Sequence, residues 1–126
     1  MNAVEQAKKA YGVSATPVRT SRGTEYEAFA RITHKIKSAH LQGPKGFRAL
    51  VAALHENRRL WTILAADVVD GDNALPDELR AQVFNLAEFT RQHTSKVLSG
   101  KANAIVLMEI NVAVMSGLRQ PKGKAA

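Results

Sequence analysis

The stretch HENRRLW, residues 55–61, lies in the middle of a segment whose apolar residues recur at helical spacing. The apolar positions on either side of it are Phe47, Leu50, Val51, Leu54, Trp61, Leu64, Ala65 and Val68. A recurrence every three to four residues is typical of one face of an α-helix. Asn57 or Arg58 falls where this face should continue, so the centre of the predicted helix carries a polar residue close to the only tryptophan of the chain.

The remainder of the chain shows the same helical periodicity, and the alternating apolar and polar runs typical of strands do not occur. The sequence predicts five helices, at residues 2–11, 24–41, 44–69, 76–98 and 102–116, and a loop at residues 13–23. The stripe predicted for the buried face of the fourth helix is Leu79, Val83, Leu86, Ala87, Thr90, Thr94 and Val97.

Residues suited to helix ends support these boundaries. Thr24, followed by a glutamate three residues later, has the spacing of a capping box. Pro44 and Pro76 suit the first turn of a helix, where the missing N–H of proline would have had no partner. Gly100 and Gly117 suit the position just after a helix, which favours glycine.

Long amphipathic helices joined by short loops favour antiparallel neighbours. The sequence therefore predicts an all-α fold, a small up-down bundle of four to five helices. Residues 1–118 are predicted to form a single domain, because a chain of 126 residues fits one hydrophobic core. Residues 119–126 are polar and are predicted to be a disordered basic tail.

The net charge of +7 is concentrated at the two ends of the chain. Residues 1–24 and residues 119–126 each carry a net charge of +3, which leaves +1 for the body between them. A nucleic-acid-binding domain usually carries its basic residues on a folded face, so the distribution favours solvated ends. The absence of cysteine, of an apolar leader and of a long apolar run predicts a cytoplasmic protein without membrane insertion.

No group of residues has the spacing of a reactive centre. The histidines at positions 34, 40, 55 and 93 show no compact ligand spacing, and there is no glycine-rich phosphate loop or nucleophile motif. The aspartate cluster at residues 67–72 lacks the ligand pattern of a calcium loop. The sequence thus predicts a protein that is not an enzyme and has no metal, cofactor or catalytic residue.

Several short motifs occur in an order that is specific as a whole. They are Asn57-Arg58 with Trp61, Asn73 with Leu75-Pro76, Leu79-Arg80, His93-Thr94, and Ile110-Asn111 with Gly117-Leu118. Together they resemble FlaF, a family of flagellar proteins of alphaproteobacteria, over about residues 9–118. One departure is Val112, which stands where the family often has arginine.

The resemblance implies a non-enzymatic factor of flagellum biogenesis that regulates flagellin synthesis and export. Flagellin is the partner that it implies, bound by a secretion-chaperone-like adaptor. FlbT, which restrains flagellin translation, is implied as a second partner. The alternative is a post-transcriptional regulator of flagellin mRNA that acts with FlbT or binds RNA through the basic ends of the chain.

Two hypotheses about individual residues follow. Asn57 and Asn111 each interrupt an apolar helix, and they are predicted to form a polar network between their helices; the alternative is that both face solvent. The helix at 102–116 is apolar on nearly every side, which indicates either complete burial or a partner. The predicted partner-binding residues are Arg58, Trp61, Ile105, Leu107, Met108, Val112 and Met115.

Each partner-binding residue also has an ordinary alternative. The apolar residues of 102–116 and Trp61 could instead belong to the core, since an indole buries a large area. Arg58 could be a solvated residue, or it could pair with a carboxylate of a partner or with Asp67, Asp77 or Glu78.

Overall fold

The structure, a computed structural model, describes Ala3, residues 19–70 and residues 76–119. The helices of the described ranges are α1 (Arg19–Leu41), α2 (Phe47–Val69), α3 (Asp77–Leu98) and α4 (Ile105–Arg119), with a 3₁₀ turn at Gly43–Gly46. No described residue lies in a strand, and the predicted all-α bundle is confirmed. Apart from Ala3 and Arg119, the predicted helix 2–11 and tail 119–126 lie outside the described residues.

The four helices pack in a ring. Helix α1 packs against α2 and α4, α2 also packs against α3, and only a small contact joins α3 to α4. Helices α2 and α4 are therefore diagonal neighbours, and no described Cα pair between them lies within 8 Å. None of the helices in the described ranges has a stretch both long and apolar enough to traverse a lipid bilayer.

The core consists of two apolar clusters. The first, which we call the Trp61 cluster, contains Phe29, Trp61, Leu64, Val68, Val83, Leu86, Ala87, Ile110, Ala113 and Val114. The second, the Leu54 cluster, contains Ile32, Ile36, Ala53, Leu54, Val97, Ala104 and Leu107. Trp61 meets the edge of Phe29 in a T-shaped contact with ring centroids 5.7 Å apart, and Ala3 packs against the same cluster.

The apolar stripes predicted from the sequence agree with the buried faces to different extents. All seven residues of the stripe predicted for α3 are buried. In α2, by contrast, Phe47 and Val51 are exposed, although they share the helical spacing of the core residues. Phe47 is the first residue of α2, and a residue at the end of a helix has fewer neighbours to cover it.

Several predicted helix boundaries are wrong. Helix α1 begins at Arg19, so Thr24 is not its cap and residues 19–23 of the predicted loop are helical. Residues 43–46 form a 3₁₀ turn ahead of α2, and Pro76 precedes the first residue of α3. Helix α4 continues to Arg119, so Gly117 lies within it. Local end signals are weak, worth about 1 kcal/mol each, and tertiary packing overrides them.

The predicted glycine stop of α3 is confirmed. Gly100 has a φ of 79°, a left-handed conformation that glycine adopts without a Cβ clash. Its N–H donates to the Val97 carbonyl at 3.1 Å, and the N–H of Lys101 donates to the Lys96 carbonyl at 2.8 Å. These two bonds form a Schellman motif, which satisfies carbonyls that the end of a helix leaves free.

Arg80, on α3, closes the C-terminal end of α2. Its Nε donates to the Val68 carbonyl at 2.7 Å, and its Nη2 donates to the Asp70 carbonyl at 3.1 Å. Its Nη1 lies 3.3 Å from Asp77 Oδ1. The guanidinium therefore supplies charge-assisted donors to the last carbonyls of α2, which have no backbone N–H partner within the helix. These bonds also link α2 to α3.

Replacing Arg80 with alanine is expected to lower the free energy of unfolding by about 1–2 kcal/mol, because the end of α2 loses these donors. Chemical denaturation measures the change. Arg91→Ala is the matched control, since Arg91 is exposed and, among the described side chains, forms an ion pair only with Glu88 of its own helix. The capping role is contradicted if both variants lose the same small amount of stability.

Candidate partner-binding surface and the buried asparagine pair

The side chains of the stretch 55–61 point in different directions. Glu56 faces α1, where it accepts from Lys35 Nζ at 2.9 Å and from Arg31 Nη1 at 3.3 Å. The hydrogen bond from Lys35 is the main reason why the pKa of Glu56 lies below its ordinary value. The resulting stabilisation is present at neutral pH and disappears as the pH falls through that lowered pKa; it is small because the pair is exposed.

Asn57 points the other way, into the centre of the bundle. Its Oδ1 accepts from Asn111 Nδ2 at 2.8 Å, and Asn111 Oδ1 accepts from Trp61 Nε1 at 3.1 Å. All three side chains are buried. The structure thus brings the two asparagines together across the diagonal between α2 and α4, and it adds the indole of Trp61 to the chain of bonds.

This chain of hydrogen bonds ends at Asn57. Among the described atoms, Asn57 Nδ2 and Thr90 Oγ1 are buried without a partner. A buried polar group without a partner costs about 1–3 kcal/mol, so the pair does not simply add stability. A single polar contact between two otherwise apolar helix faces fixes their relative position along the bundle axis, because any shift would leave more buried polar atoms without a hydrogen-bond partner.

The predicted partner-binding residues of α4 divide into two faces. Val112 is 53% exposed and Ile105 is 43% exposed, whereas Met108 and Met115 are partly buried. Leu107 is only 1% exposed and belongs to the Leu54 cluster. We call Ile105, Met108, Val112 and Met115 the α4 stripe.

Two of the predicted partner-binding residues are therefore corrected. Leu107 lies on the face of α4 that also carries Ile110, Asn111 and Val114, and this face is turned into the bundle. Trp61 is equally buried, against Phe29 and with its N–H on Asn111. Neither side chain is available to a partner of the folded protein. The apolar character of α4 on all sides gave no signal to separate the two faces.

Arg58 lies at the boundary between α2 and α3 and is half-buried. Within the described residues it pairs with none of the predicted carboxylates, and Asp77 instead pairs with Arg80. Its side chain lines a cavity of about 190 Å³ together with Trp61, Thr62, Ala65, Phe84, Ala87, Glu88 and Arg91. Sequence reasoning missed Phe84, which is an exposed aromatic residue on α3.

One of the histidines, His93, helps to position the segment before α4. His93 stacks on Phe89 with ring centroids 5.5 Å apart, and its Nε2 is hydrogen-bonded to the Asn103 carbonyl at 2.9 Å. Asn103 Oδ1 in turn accepts the N–H of Ile105 at 2.9 Å, which caps the start of α4. In the part of the chain that the structure describes, no three histidine, aspartate or glutamate residues are grouped to hold a metal ion.

The motifs that suggested a family resemblance are thus distributed over the whole bundle. The match to a family model covers nearly the same range. A family model described as "Flagellar protein FlaF" matches residues 7–118. The chain belongs to the FlaF family. Its FlaF membership confirms the resemblance and connects the protein with the flagellum. The curated proteins and solved structures that were compared gave no match.

In this FlaF protein, the motif residues within the described ranges mostly hold helices together. Asn57, Trp61 and Asn111 join α2 to α4, and Arg80 closes α2. His93 holds the segment that precedes α4, through Asn103. These motif residues therefore stabilise the bundle of this protein, whereas the motif residue Arg58 lines the cavity next to Phe84.

Proposed function

We propose that this FlaF protein is a flagellum biogenesis factor that binds flagellin through the α4 stripe, as a secretion-chaperone-like adaptor. The observation that carries the proposal is the exposure of Ile105 and Val112, at 43% and 53%, on a helix whose other face is core. Regulation of flagellin synthesis and export would follow from holding flagellin before it is exported. The proposed action takes place in the cytoplasm.

The geometry of the α4 stripe suits an amphipathic helix. Residues 105, 108, 112 and 115 have the i, i+3, i+7, i+10 spacing of one helix face. Two of the four are methionines, whose flexible side chains adapt to different apolar surfaces. A partner helix laid along this face would cover apolar residues that otherwise promote premature self-association, which is the task of a chaperone for a polymerising protein.

The small contact between α3 and α4 favours this surface over others. Because α4 packs mainly on α1, the side of α4 that is turned away from α1 has few neighbours. The proposed function needs neither catalysis nor a metal ion or cofactor. It rests on apolar contact alone, so flagellin binding should depend little on salt concentration.

Val112→Asp is expected to weaken flagellin binding at least about tenfold, because a carboxylate would be buried in an apolar contact without a partner. The measurement is co-purification and titration of purified flagellin at two salt concentrations. Ile63→Asp is the matched control: Ile63 is 56% exposed but lies on α2. It should bind flagellin normally. Full binding by Val112→Asp, or an equal loss in both variants, contradicts the proposed surface.

The alternative is regulation through RNA or FlbT. It draws on the basic ends of the chain, since residues 1–24 and 119–126 each carry +3. Separate pull-downs with flagellin, FlbT and flagellin mRNA, from purified components, distinguish the candidates. RNA binding that disappears at moderate salt or on deletion of residues 119–126, with no binding of flagellin, would support the alternative.

A further inference from the structure

A second apolar surface runs along the boundary between α2 and α3, on the face that includes Phe84. Two cavities of about 460 Å³ and about 190 Å³ share Phe84 as a wall. We call this surface the Phe84 groove; its rim consists of Arg58, Thr62, Ala65 and Val69 from α2 and Ala81, Phe84, Glu88 and Arg91 from α3.

The rim residues form one stripe on each of the two helices. Positions 58, 62, 65 and 69 follow one face of α2, and positions 81, 84, 88 and 91 follow one face of α3. Eleven residues of helix span about 16 Å, which matches three turns of a bound helix. Phe84 and Val69 are 42% and 63% exposed, so the groove presents large apolar side chains that the core does not use.

Two of the three arginines at the groove have a carboxylate partner among the described side chains, and the third does not. Arg80 is committed to the end of α2 and to Asp77, and Arg91 donates to Glu88 Oε1 at 3.0 and 3.2 Å. The residues that line the two cavities include three arginines and two carboxylates, so one positive charge is left over. Arg58 makes no ion pair with any side chain in the described ranges, so this charge is at the Arg58 end of the groove.

We propose that the Phe84 groove binds an amphipathic helix of another protein, with apolar side chains on Phe84 and Val69 and a carboxylate on Arg58. Arginine and exposed aromatic residues such as Phe84 are enriched at protein interfaces. A partner carboxylate would form a charge-assisted hydrogen bond with Arg58 and set the register of the bound helix. The groove is built from α2 and α3, so this proposal does not depend on the α4 stripe.

The charge of the groove favours an acidic helix of another protein over a second copy of this chain or the chain's own ends. A second copy of this chain has a body with a net charge of +1 and two basic ends, so it offers no net negative charge to Arg58. The segments before α1 and after α4, residues 1–18 and 120–126, carry net charges of +1 and +2 and would bring more positive charge to Arg58. An acidic amphipathic helix satisfies the groove's apolar wall and its unpaired cation together.

Trp61 provides the readout, because it is the only tryptophan and lines the smaller cavity. We would titrate the full-length protein with two synthetic helical peptides that share a leucine face and differ only in flanking glutamates or lysines. The glutamate peptide is expected to change the Trp61 emission and to bind at least about tenfold more tightly than the lysine peptide. Equal binding of the two peptides, or binding of neither, overturns the proposal.

Two variants locate the bound peptide. Arg58→Gln is expected to remove most of the preference for the glutamate peptide, and Phe84→Ser is expected to weaken both peptides about tenfold. If Phe84→Ser lowers the melting temperature, Arg58→Gln alone carries the test, since Arg58 is half-exposed and makes no described ion pair. Val112→Asp is the control and should bind the glutamate peptide normally.

Other outcomes identify a different occupant. Loss of peptide binding in Val112→Asp would place the peptide on the α4 stripe and overturn the proposal for the groove. A Trp61 emission that changes with protein concentration in the absence of peptide, together with a dimer in sedimentation, would assign the groove to a second copy. Because flagellin binding is tested separately with Val112→Asp, either proposal can fail while the other stands.

Discussion

Asn111→Leu is expected to lower the free energy of unfolding by about 2–6 kcal/mol. The substitution leaves two buried polar groups without a hydrogen-bond partner, and each such group costs about 1–3 kcal/mol of stability. The groups are the indole N–H of Trp61, which donates to Asn111 at 3.1 Å, and the amide of Asn57, which accepts from it at 2.8 Å. Leucine is close to asparagine in size, so lost packing contributes little. Guanidinium denaturation followed by circular dichroism measures the change.

The comparison with Asn57→Leu separates the network from general damage to the core. Asn57→Leu leaves only Asn111 Nδ2 without its hydrogen-bond acceptor. It also removes Asn57 Nδ2, which has no partner among the described atoms. Its expected cost is therefore smaller, about 1–2 kcal/mol. The double variant restores an apolar match between α2 and α4 and should be more stable than the sum of the single effects predicts. Additive losses, or a gain in stability from Asn57→Leu, would argue against the network.

Gly46→Ala is expected to lower the free energy of unfolding by about 3 kcal/mol, at the upper end of the range for overpacking. Gly46 is buried in the 3₁₀ turn, where α1 passes into α2. A Cβ there would overlap the Ala39 carbonyl oxygen and come within 2.9 Å of Gln42 Cβ. The carbonyl belongs to the backbone of α1, so it cannot move aside without shifting the helix.

Gly43→Asn is the matched control within the same turn. Gly43 has a φ of 62°, and a Cβ there would meet no atom within 4 Å. Asparagine tolerates this left-handed conformation better than other residues with a side chain, so its expected cost is below about 1 kcal/mol. Thermal unfolding of both variants checks the difference. A loss for Gly46→Ala no larger than that for Gly43→Asn would show that the turn yields and that the close approach is unimportant.

The buried faces of the helices were predictable where the sequence pattern is uneven. Helix α3 has an apolar face and a polar face, so its seven buried residues follow from the 3.6-residue period. The two buried threonines belong to the same stripe. The two asparagines were also identifiable as polar interruptions. Their partnership was only a hypothesis, because 54 residues separate them and the period within one helix contains no information about its neighbours.

The partner-binding residues were harder to predict for a physical reason. Helix α4 is apolar all round, so nothing in its sequence separates the buried Leu107 from the exposed Val112. Phe84 fell outside every predicted site, because a lone phenylalanine next to a buried stripe has no pattern of its own. Arg80 was recognised as part of a motif, yet its capping of α2 depends on how α3 returns along it.

Hydrophobic periodicity was sufficient for the helical bundle and for the two polar interruptions at Asn57 and Asn111, since it is a property of residues near one another in the chain. The order of the motifs along the chain was sufficient for the family resemblance. The exposed face of α4, the Phe84 groove, the indole bond of Trp61 and the demand for glycine at position 46 were decided by packing between helices. Burial of a side chain depends on which distant segment covers it, and that is a property of the tertiary structure alone.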